Sequence, residues 1–290
     1  MKLEGKVAII VGTSPNIGGG IAEGMADEGA KIVCVDINPD FANACSNHII
    51  KRGGEAVPFI CDVTVEEQVH GAVEEAKRAF GGVDILVNGA RTTFANRGGI
   101  LDEPLDVFKR QVEIFLTGTF MFTKAVVKSM IEQGRHGNVI TIASSEAHQG
   151  NPRNLAYGTS KAGLLNFTRS VAMELAPYGI RVNTLTPTST DPREGQRRAQ
   201  EWGVRWSRRP GTTYLESGLE DWRDEHRKLT PMQELPSATD YAHAAVFLAS
   251  DDARMITGFD LRVDAGNIAK YWGYLPKPLG GEGGGVMAPD

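Results

Sequence analysis

The chain has 290 residues, 41% of them hydrophobic and 23% charged, which is enough to bury a substantial core and is typical of a globular protein. A formal net charge of -5, without a basic stripe, argues against nucleic acid as a partner. The amino terminus lacks the apolar core of a signal peptide and no segment suggests a membrane span, so we expect a cytoplasmic protein without a membrane partner.

Short β-branched segments alternate with longer helical ones along most of the chain. Strands are predicted at 7–11, 31–35, 56–60, 83–87, 138–143, 180–185 and 260–263. Helices are predicted at 17–28, 41–51, 65–80, 105–132, 155–175 and 239–248. This pattern predicts an α/β fold, a doubly wound parallel sheet of Rossmann type with about seven strands and helices on both faces.

We expect a single domain over 1–290, with two regions that break the alternation. Residues 187–236 separate the sixth strand from the last helix and are predicted to form a substrate lid. Residues 266–290 form a tail whose glycine-rich end is expected to be flexible. The three cysteines have neither CxxC nor histidine spacing, so no disulfide framework and no metal site is predicted.

A glycine-rich segment follows the first strand and opens a helix. Glycines at this point let backbone amides approach a pyrophosphate, and the predicted phosphate contacts are Gly12, Asn16, Ile17 and Gly18. Asp36 ends the second strand, where a carboxylate accepts hydrogen bonds from ribose hydroxyls and repels a 2′-phosphate. These residues favour NAD over NADP as cofactor, although a strand-terminal aspartate that caps a turn is an alternative.

Ser144, Tyr157 and Lys161 form the candidate catalytic group. Tyr157 and Lys161 are four residues apart in a predicted helix, so their side chains share a face. A tyrosine with a pKa near ~10 is a poor base, and lowering this pKa by ~3 units takes roughly 4 kcal/mol, which a close ammonium and a positively charged cofactor ring can supply. The tyrosine then accepts a proton from an alcohol while the serine holds the substrate oxygen.

Trp202 and Trp206 lie in the predicted lid, at positions i and i+4 of a predicted arginine-rich helix. One interpretation is that both rings close over a bulky, largely apolar substrate and exclude water. The alternative is a solvated helix whose tryptophans dock onto the body of the protein.

Taken together, these motifs resemble the short-chain dehydrogenase/reductase family over about residues 5–187 and 237–266. The resemblance implies that Tyr157 is the acid/base, that Lys161 lowers its pKa and binds the nicotinamide ribose, and that Ser144 positions the reacting oxygen. It implies further cofactor contacts from Asp62 and Val63 at adenine, Asn88 and Ala90 along the adenosine ribose, and Pro187 and Thr190 near the carboxamide. It also places His148 and Arg153 at the substrate pocket.

Four positions depart from the family pattern. Thr188 replaces the glycine that usually follows Pro187, so Thr190 is only the nearest candidate for the threonine that holds the carboxamide. Asn16 replaces a glycine, and because asparagine tolerates left-handed geometry best among other residues, the turn is expected to survive. Arg91 replaces a glycine near the cofactor or substrate mouth. Phe115 replaces a catalytic asparagine, and its backbone carbonyl is the group expected to retain that residue's role in a water relay to the lysine.

Three hypotheses follow from these residues. The first is an NAD-dependent oxidoreductase that interconverts a secondary, cyclic or bulky alcohol and its ketone. The second is a non-redox enzyme of the same fold that performs elimination or dehalogenation with serine and tyrosine. The third is a nucleotide sensor with an inactive site, which the intact Ser144, Tyr157 and Lys161 oppose. The resemblance also implies a homodimer or homotetramer formed through the helices at 105–132 and 155–175.

Overall fold

The computed structural model describes residues 1–92, 99–152, 154–206 and 219–270, with two short strands beyond them. Seven parallel strands form one sheet in the order β3-β2-β1-β4-β5-β6-β7. They are β1 (Val7–Val11), β2 (Lys31–Asp36), β3 (Ala56–Ile60), β4 (Ile85–Asn88), β5 (Asn138–Ile142), β6 (Arg181–Pro187) and β7 (Asp260–Val263). The predicted doubly wound parallel sheet is confirmed.

Nine α-helices are present in the part of the chain that is described. They are α1 (Ile17–Asp27), α2 (Pro39–Lys51), α3 (Glu66–Phe80), α4 (Leu105–Val112), α5 (Gly118–Glu132), α6 (Leu155–Leu175), α7 (Arg193–Trp202), α8 (Leu219–Arg227) and α9 (Ala238–Ala249). The inner strands are buried along almost their whole length because both faces of the sheet are covered. One core cluster joins the sheet to α3, α5 and α6. The other joins it to α1, α2 and α9.

The predicted helix at 105–132 is interrupted. A π-helical turn, Glu113–Thr117, separates α4 from α5 and carries Phe115 toward the interior. By length and composition alone, Leu105–Glu132 passes the test for a membrane span, which corrects the expectation from the sequence. In the structure this segment packs against the sheet through Phe122, Val126 and Met130, so it is a core helix of the fold.

The described residues of the predicted lid include the two helices α7 and α8, and Trp202 and Trp206 do not share a helical face. Helix α7 ends at Trp202 because Gly203 follows it in the left-handed conformation, with φ 69°. Trp206 therefore lies beyond the helix, and its ring packs on Gly195 in the first turn. The expected i, i+4 arrangement is wrong.

The carboxyl-terminal tail contains a short antiparallel pair, Tyr274–Leu275 with Gly285–Val286, which the sequence pattern did not predict. Two-residue strands are too short to show a period of alternating side chains, so the pattern has no signal for them.

Candidate active site

The predicted functional residues come together at the carboxyl edge of the parallel sheet, where loops of an α/β fold bind ligands. One cavity at this edge is bordered by the glycine loop after β1, the segment after β4 and the first turns of α6. Its lining residues include Gly12, Asn16, Ile17, Gly18, Ala90, Arg91, Phe115, Tyr157, Lys161 and Pro187. Among the described lining residues, Arg91 and Lys161 are cationic and none is a carboxylate, so this part of the cavity suits an anionic ligand.

The glycine loop is shaped by close backbone approaches. Gly12 has φ 87°, and a Cβ on it would lie 2.6 Å from the carbonyl oxygen of Gly89. A Cβ on Gly18 would collide with the carbonyl of Gly12. Asn16 has φ -88° and ψ -123°, so this position is not left-handed and the special tolerance of asparagine is not needed.

The start of α1 fits the pyrophosphate of a dinucleotide. Gly19 donates its amide to Ser14 O and Gly20 donates to Asn16 O, while the amides of Ile17 and Gly18 have no acceptor among the described residues. Such amides at a helix N-terminus bind anions. The residues present therefore fit the phosphate groups.

Asp36 ends β2 beside this loop, and its side chain is buried. Oδ1 accepts a hydrogen bond of 2.9 Å from the amide of Asn38. Burial raises the pKa of the carboxyl group to about 6, although nearby backbone amides, including those of Thr13 and Ser14, favour its charged form. This carboxylate is positioned for a ribose at the same edge of the sheet.

The predicted adenine contacts lie at the start of a polar network. Asp62 Oδ1 accepts hydrogen bonds from the amide and hydroxyl of Thr64, and Oδ2 lies 3.2 Å from Nη2 of Arg110. Despite partial desolvation, these bonds lower the pKa of Asp62. Val63 is buried against Gly118. Arg110 had not been singled out in the sequence, since a helical arginine has no signal for a partner 48 residues away.

Asn88 is the last residue of β4 and is buried. Its amide Nδ2 donates to Thr123 Oγ1 at 3.1 Å, which anchors the strand end to α5. Ala90, two residues later, is partly buried and lines the cavity. The predicted contact of these residues with a ribose stays a prediction.

Lys161 is buried in the wall of the cavity. Its Nζ donates a hydrogen bond of 2.6 Å to the carbonyl of Ile142 at the end of β5. Burial, together with the smaller effect of the charge of Arg91, lowers the pKa of Lys161 to about 7. The ammonium proton is therefore unusually labile for a lysine near neutral pH.

Tyr157, in the first turn of α6, and Lys161 meet around the ring of Phe115. The Phe115 and Tyr157 rings pack edge to face with centroids 5.2 Å apart. Nζ of Lys161 is 4.7 Å from the Phe115 centroid and 5.8 Å from the Tyr157 centroid. Phe115 thus occupies the space beside both groups, and its carbonyl accepts a hydrogen bond of 2.7 Å from Thr119 Oγ1. That bond occupies one lone pair of the oxygen expected to serve a water relay.

Replacement of Phe115 by leucine is expected to destabilise the protein by about 1–3 kcal/mol and to lower kcat several-fold. Leucine leaves a cavity beside Tyr157 and removes the cation–π contact with Lys161. Urea denaturation and steady-state kinetics measure the two effects. Phe120→Leu, on the exposed side of α5, is the matched control and should change neither. Unchanged stability and kcat in Phe115→Leu would contradict this account.

Ser144 follows β5, and its Oγ accepts a hydrogen bond of 3.2 Å from the amide of Glu146. The carbonyl of Glu146 lies close to Gly158, so the serine loop packs on the helix turn that carries Tyr157. His148 Nε2 lies 3.0 Å from Oδ2 of Asp260 without the geometry of a hydrogen bond, and the predicted substrate role of His148 stays a prediction. Arg153 lies outside the described residues.

Pro187 is the last residue of β6, and Thr190 lies three residues after it. Pro187 lines the cavity, as predicted for a cofactor contact. The hydroxyl of Thr190 is buried, 3.2 Å from the carbonyl of Thr188 and 3.4 Å from the hydroxyl of Tyr241. Its single hydrogen is thus used inside the protein, and this conformation does not favour a carboxamide contact.

Trp202 docks onto the body of the protein. Its Nε1 donates to Glu23 Oε1 at 3.2 Å, and its ring lies over Gly19. It is not among the residues that line the cavity at Tyr157. The docking interpretation describes Trp202 better than closure over a substrate, and Trp206 packs on α7 itself.

The described residues contain no group of three or more metal-ligating side chains that could hold an ion. The three cysteines are buried, and burial raises the pKa of Cys61 to about 12 and that of Cys45 well above its usual range. Cys45 and Cys61 are therefore not reactive thiolates at neutral pH.

Comparison with known proteins agrees with this geometry. A family model described as enoyl-(acyl carrier protein) reductase matches residues 12–267. D-threitol dehydrogenase of Mycolicibacterium smegmatis is 34% identical, with 93% of this chain and 95% of that protein covered. The mitochondrial (-)-isopiperitenol/(-)-carveol dehydrogenase of Mentha piperita is 32% identical, with 91% and 94% covered.

Among solved structures, an NAD⁺-bound xylitol dehydrogenase is similar at a TM-score of 0.78 and 32% identity, with 91% of this chain and 99% of that chain covered. These matches extend over nearly the whole chain and confirm the resemblance seen in its motifs. The protein is an oxidoreductase, and the family of these relatives uses a nicotinamide cofactor. The chain belongs to the short-chain dehydrogenase/reductase family.

Proposed function

We propose that the protein is an NAD-dependent dehydrogenase/reductase that interconverts a secondary alcohol and its ketone, with Tyr157 as the acid/base. The observation that carries this proposal is the placement of Tyr157 and buried Lys161 in one cavity with the glycine loop. A cation held beside a phenol favours transfer of the phenolic proton, and the cavity is suited to a dinucleotide.

In the direction of alcohol oxidation, Tyr157 accepts the hydroxyl proton while the Ser144 hydroxyl holds the same oxygen. The bound nicotinamide supplies the hydride acceptor. Lys161 stabilises the phenolate through its charge, and the phenolate in turn favours the protonated lysine, so the two groups titrate as a coupled pair. Phe115 keeps bulk water from their inner side because its ring is buried against both.

The substrate is proposed to be a secondary alcohol of cyclic or otherwise bulky shape. Curated relatives include a threitol dehydrogenase and a carveol dehydrogenase, one named for an acyclic polyol and the other for a cyclic terpenoid alcohol. The proposal therefore rests on the reacting group CH–OH, which these substrates share.

The non-redox alternative has one observation in its favour, which is the apolar Phe115 beside the reactive pair. A site that performs elimination does not need a nucleotide, whereas Asp36 and the glycine loop retain the features that a dinucleotide needs. Dinucleotide binding therefore separates the two functions.

Calorimetric titration at neutral pH is expected to give tighter binding of NAD than of NADP, and NAD-dependent oxidation of a panel of cyclic and acyclic secondary alcohols should follow. Asp36→Asn should reduce the preference for NAD by about 10–100-fold, because it removes a negative charge next to the 2′-phosphate. The preference should also grow as pH rises through about 6, where the Asp36 carboxyl group loses its proton.

The 2′-phosphate of NADP has a second pKa near ~6 and therefore also changes its charge in this pH range. The pH dependence that remains in Asp36→Asn measures this contribution, and the difference from the unmodified protein is the contribution of Asp36. Asp40→Asn, on the exposed first turn of α2, is the matched control and should leave the preference unchanged. Failure of the unmodified protein to bind either dinucleotide would overturn the redox function. Equal binding of NAD and NADP, with no effect of Asp36→Asn, would overturn only the assignment of NAD.

A further inference from the structure

Helix α7 lies directly on the glycine loop. A Cβ on Gly19 would lie 2.7 Å from the Trp202 ring and 3.3 Å from Cδ of Arg198. Likewise, a Cβ on Gly195 would lie 3.4 Å from Oδ1 of Asn16. Some glycines of the loop are therefore needed for the approach of a helix from the lid as well as for a phosphate.

A buried ion pair joins the two elements. Arg198 Nε donates to Glu23 Oε2 at 2.7 Å, with the side chains only 7% and 10% exposed. Glu23 Oε1 accepts from Trp202 Nε1, and His48 Nε2 lies 3.4 Å from the same oxygen. Since a buried charge needs several partners, this arrangement fixes the position of the guanidinium.

The second branch of the guanidinium reaches the loop itself. Arg198 Nη1 donates a buried hydrogen bond of 2.9 Å to the carbonyl oxygen of Pro15. The peptide that joins Pro15 and Asn16 is planar, so fixing its C=O also fixes the direction of the Asn16 N–H. This peptide immediately precedes the Ile17 and Gly18 amides at the start of α1.

We infer that Arg198 is a positioning residue for the dinucleotide: through Pro15 it holds the phosphate-binding turn in its binding geometry, and Glu23 orients Arg198. This inference rests on the proposed function, because it needs a dinucleotide at the turn. Preorganised donors bind an anion more tightly than donors that must be ordered on binding. Helix α7 of the lid is thus part of the cofactor site without contact with the cofactor.

Three variants test this role. Arg198→Lys keeps a cation for Glu23, but a single ammonium cannot reach both acceptors as the planar guanidinium does. Arg198→Gln removes the charge and leaves Glu23 buried without its partner. Glu23→Gln combined with Arg198→Met replaces the pair by neutral side chains of similar size, and such replacements commonly preserve folding. The matched control is Arg197→Gln, since Arg197 is 65% exposed on the same helix and faces Glu201.

Each Arg198 variant should raise the calorimetric Kd of NAD about tenfold or more, as expected for loss of a buried hydrogen bond to a charged donor. The KM for NAD should rise in parallel, whereas kcat at saturating NAD and the KM for the alcohol should change much less. Arg197→Gln should match the unmodified protein. A purely structural role would instead lower the melting temperature and leave the Kd of NAD unchanged well below that temperature.

An unchanged Kd in Arg198→Lys and in the double variant would overturn the inference, whatever happens to Arg198→Gln. Absence of NAD binding by the unmodified protein is a different result, since it refutes the proposed function before the role of Arg198 is reached. Weaker NAD binding by the variants, with NAD bound by the unmodified protein, supports both.

Discussion

Replacement of Tyr157 by phenylalanine is expected to lower kcat by about 10²–10⁴-fold, the usual contribution of a positioned acid/base. The change removes one oxygen and keeps the ring, so the edge-to-face contact with Phe115 should survive. Calorimetry should then show NAD binding within about twofold of the unmodified protein, because the loop and Asp36 are untouched. Stopped-flow or steady-state kinetics with the best alcohol of the panel measures the decrease in kcat.

The matched control is Tyr178→Phe, which alters an exposed tyrosine in the short 3₁₀ turn after α6. It should leave both turnover and NAD binding unchanged. Full turnover by Tyr157→Phe with normal NAD binding would refute Tyr157 as the acid/base. It would leave the family membership of the chain intact, because that membership does not depend on one residue.

Local patterns were sufficient to predict the sheet. The bounds of β1, β3 and β7 were predicted as observed, because short segments with apolar residues between turn residues have few alternative structures. The position of Asp36 at the end of β2 followed from the same pattern. Sites at the carboxyl ends of parallel strands can therefore be placed once the strands are known.

The interruption of the long helix could not be predicted in this way. Residues 105–132 have a continuous helical pattern in which a π turn adds one residue to a turn, and a single glycine, Gly118, directly after that turn does not reveal the insertion. Yet this turn brings Phe115 against Tyr157. The functional consequence of Phe115 depends on packing that becomes visible only in three dimensions.

The contact of Arg198 with Glu23 likewise could not be predicted from local sequence patterns. The two residues are 175 positions apart, and Arg198 has arginine neighbours that are solvent-exposed. Nothing in the local sequence distinguishes a buried arginine from an exposed one on a polar helix. The sequence therefore predicted a lid, but which of its side chains reach the body depended on tertiary structure.

Replacement of Lys161 by methionine is expected to lower activity strongly and, at the same time, to stabilise the dinucleotide-free protein. The pKa of Lys161 is about 7 in the folded protein and 10.5 when unperturbed, so the folded state binds this proton less readily than the unfolded state. The resulting stability is present in full above the unperturbed pKa and is lost as pH falls through the folded pKa. The unmodified protein should therefore gain stability between pH 7 and 9.

Methionine fills the same space without a charge, so the pH-dependent gain should disappear in Lys161→Met. Near pH 7 the variant should be more stable by about 2–4 kcal/mol, which is below the limit of about 5 kcal/mol set by the full pKa difference. Urea denaturation of the dinucleotide-free protein at several pH values measures this, and kcat should fall by about 10²-fold or more. Lys128→Met, which changes a lysine that is 74% exposed on α5, is the control and should retain the pH dependence and kcat of the unmodified protein. A Lys161→Met variant that is less stable than the unmodified protein at pH 7 would contradict this prediction. In that case the contacts of the ammonium with Ile142 and Phe115 stabilise the folded protein by more than the burial of the charge destabilises it.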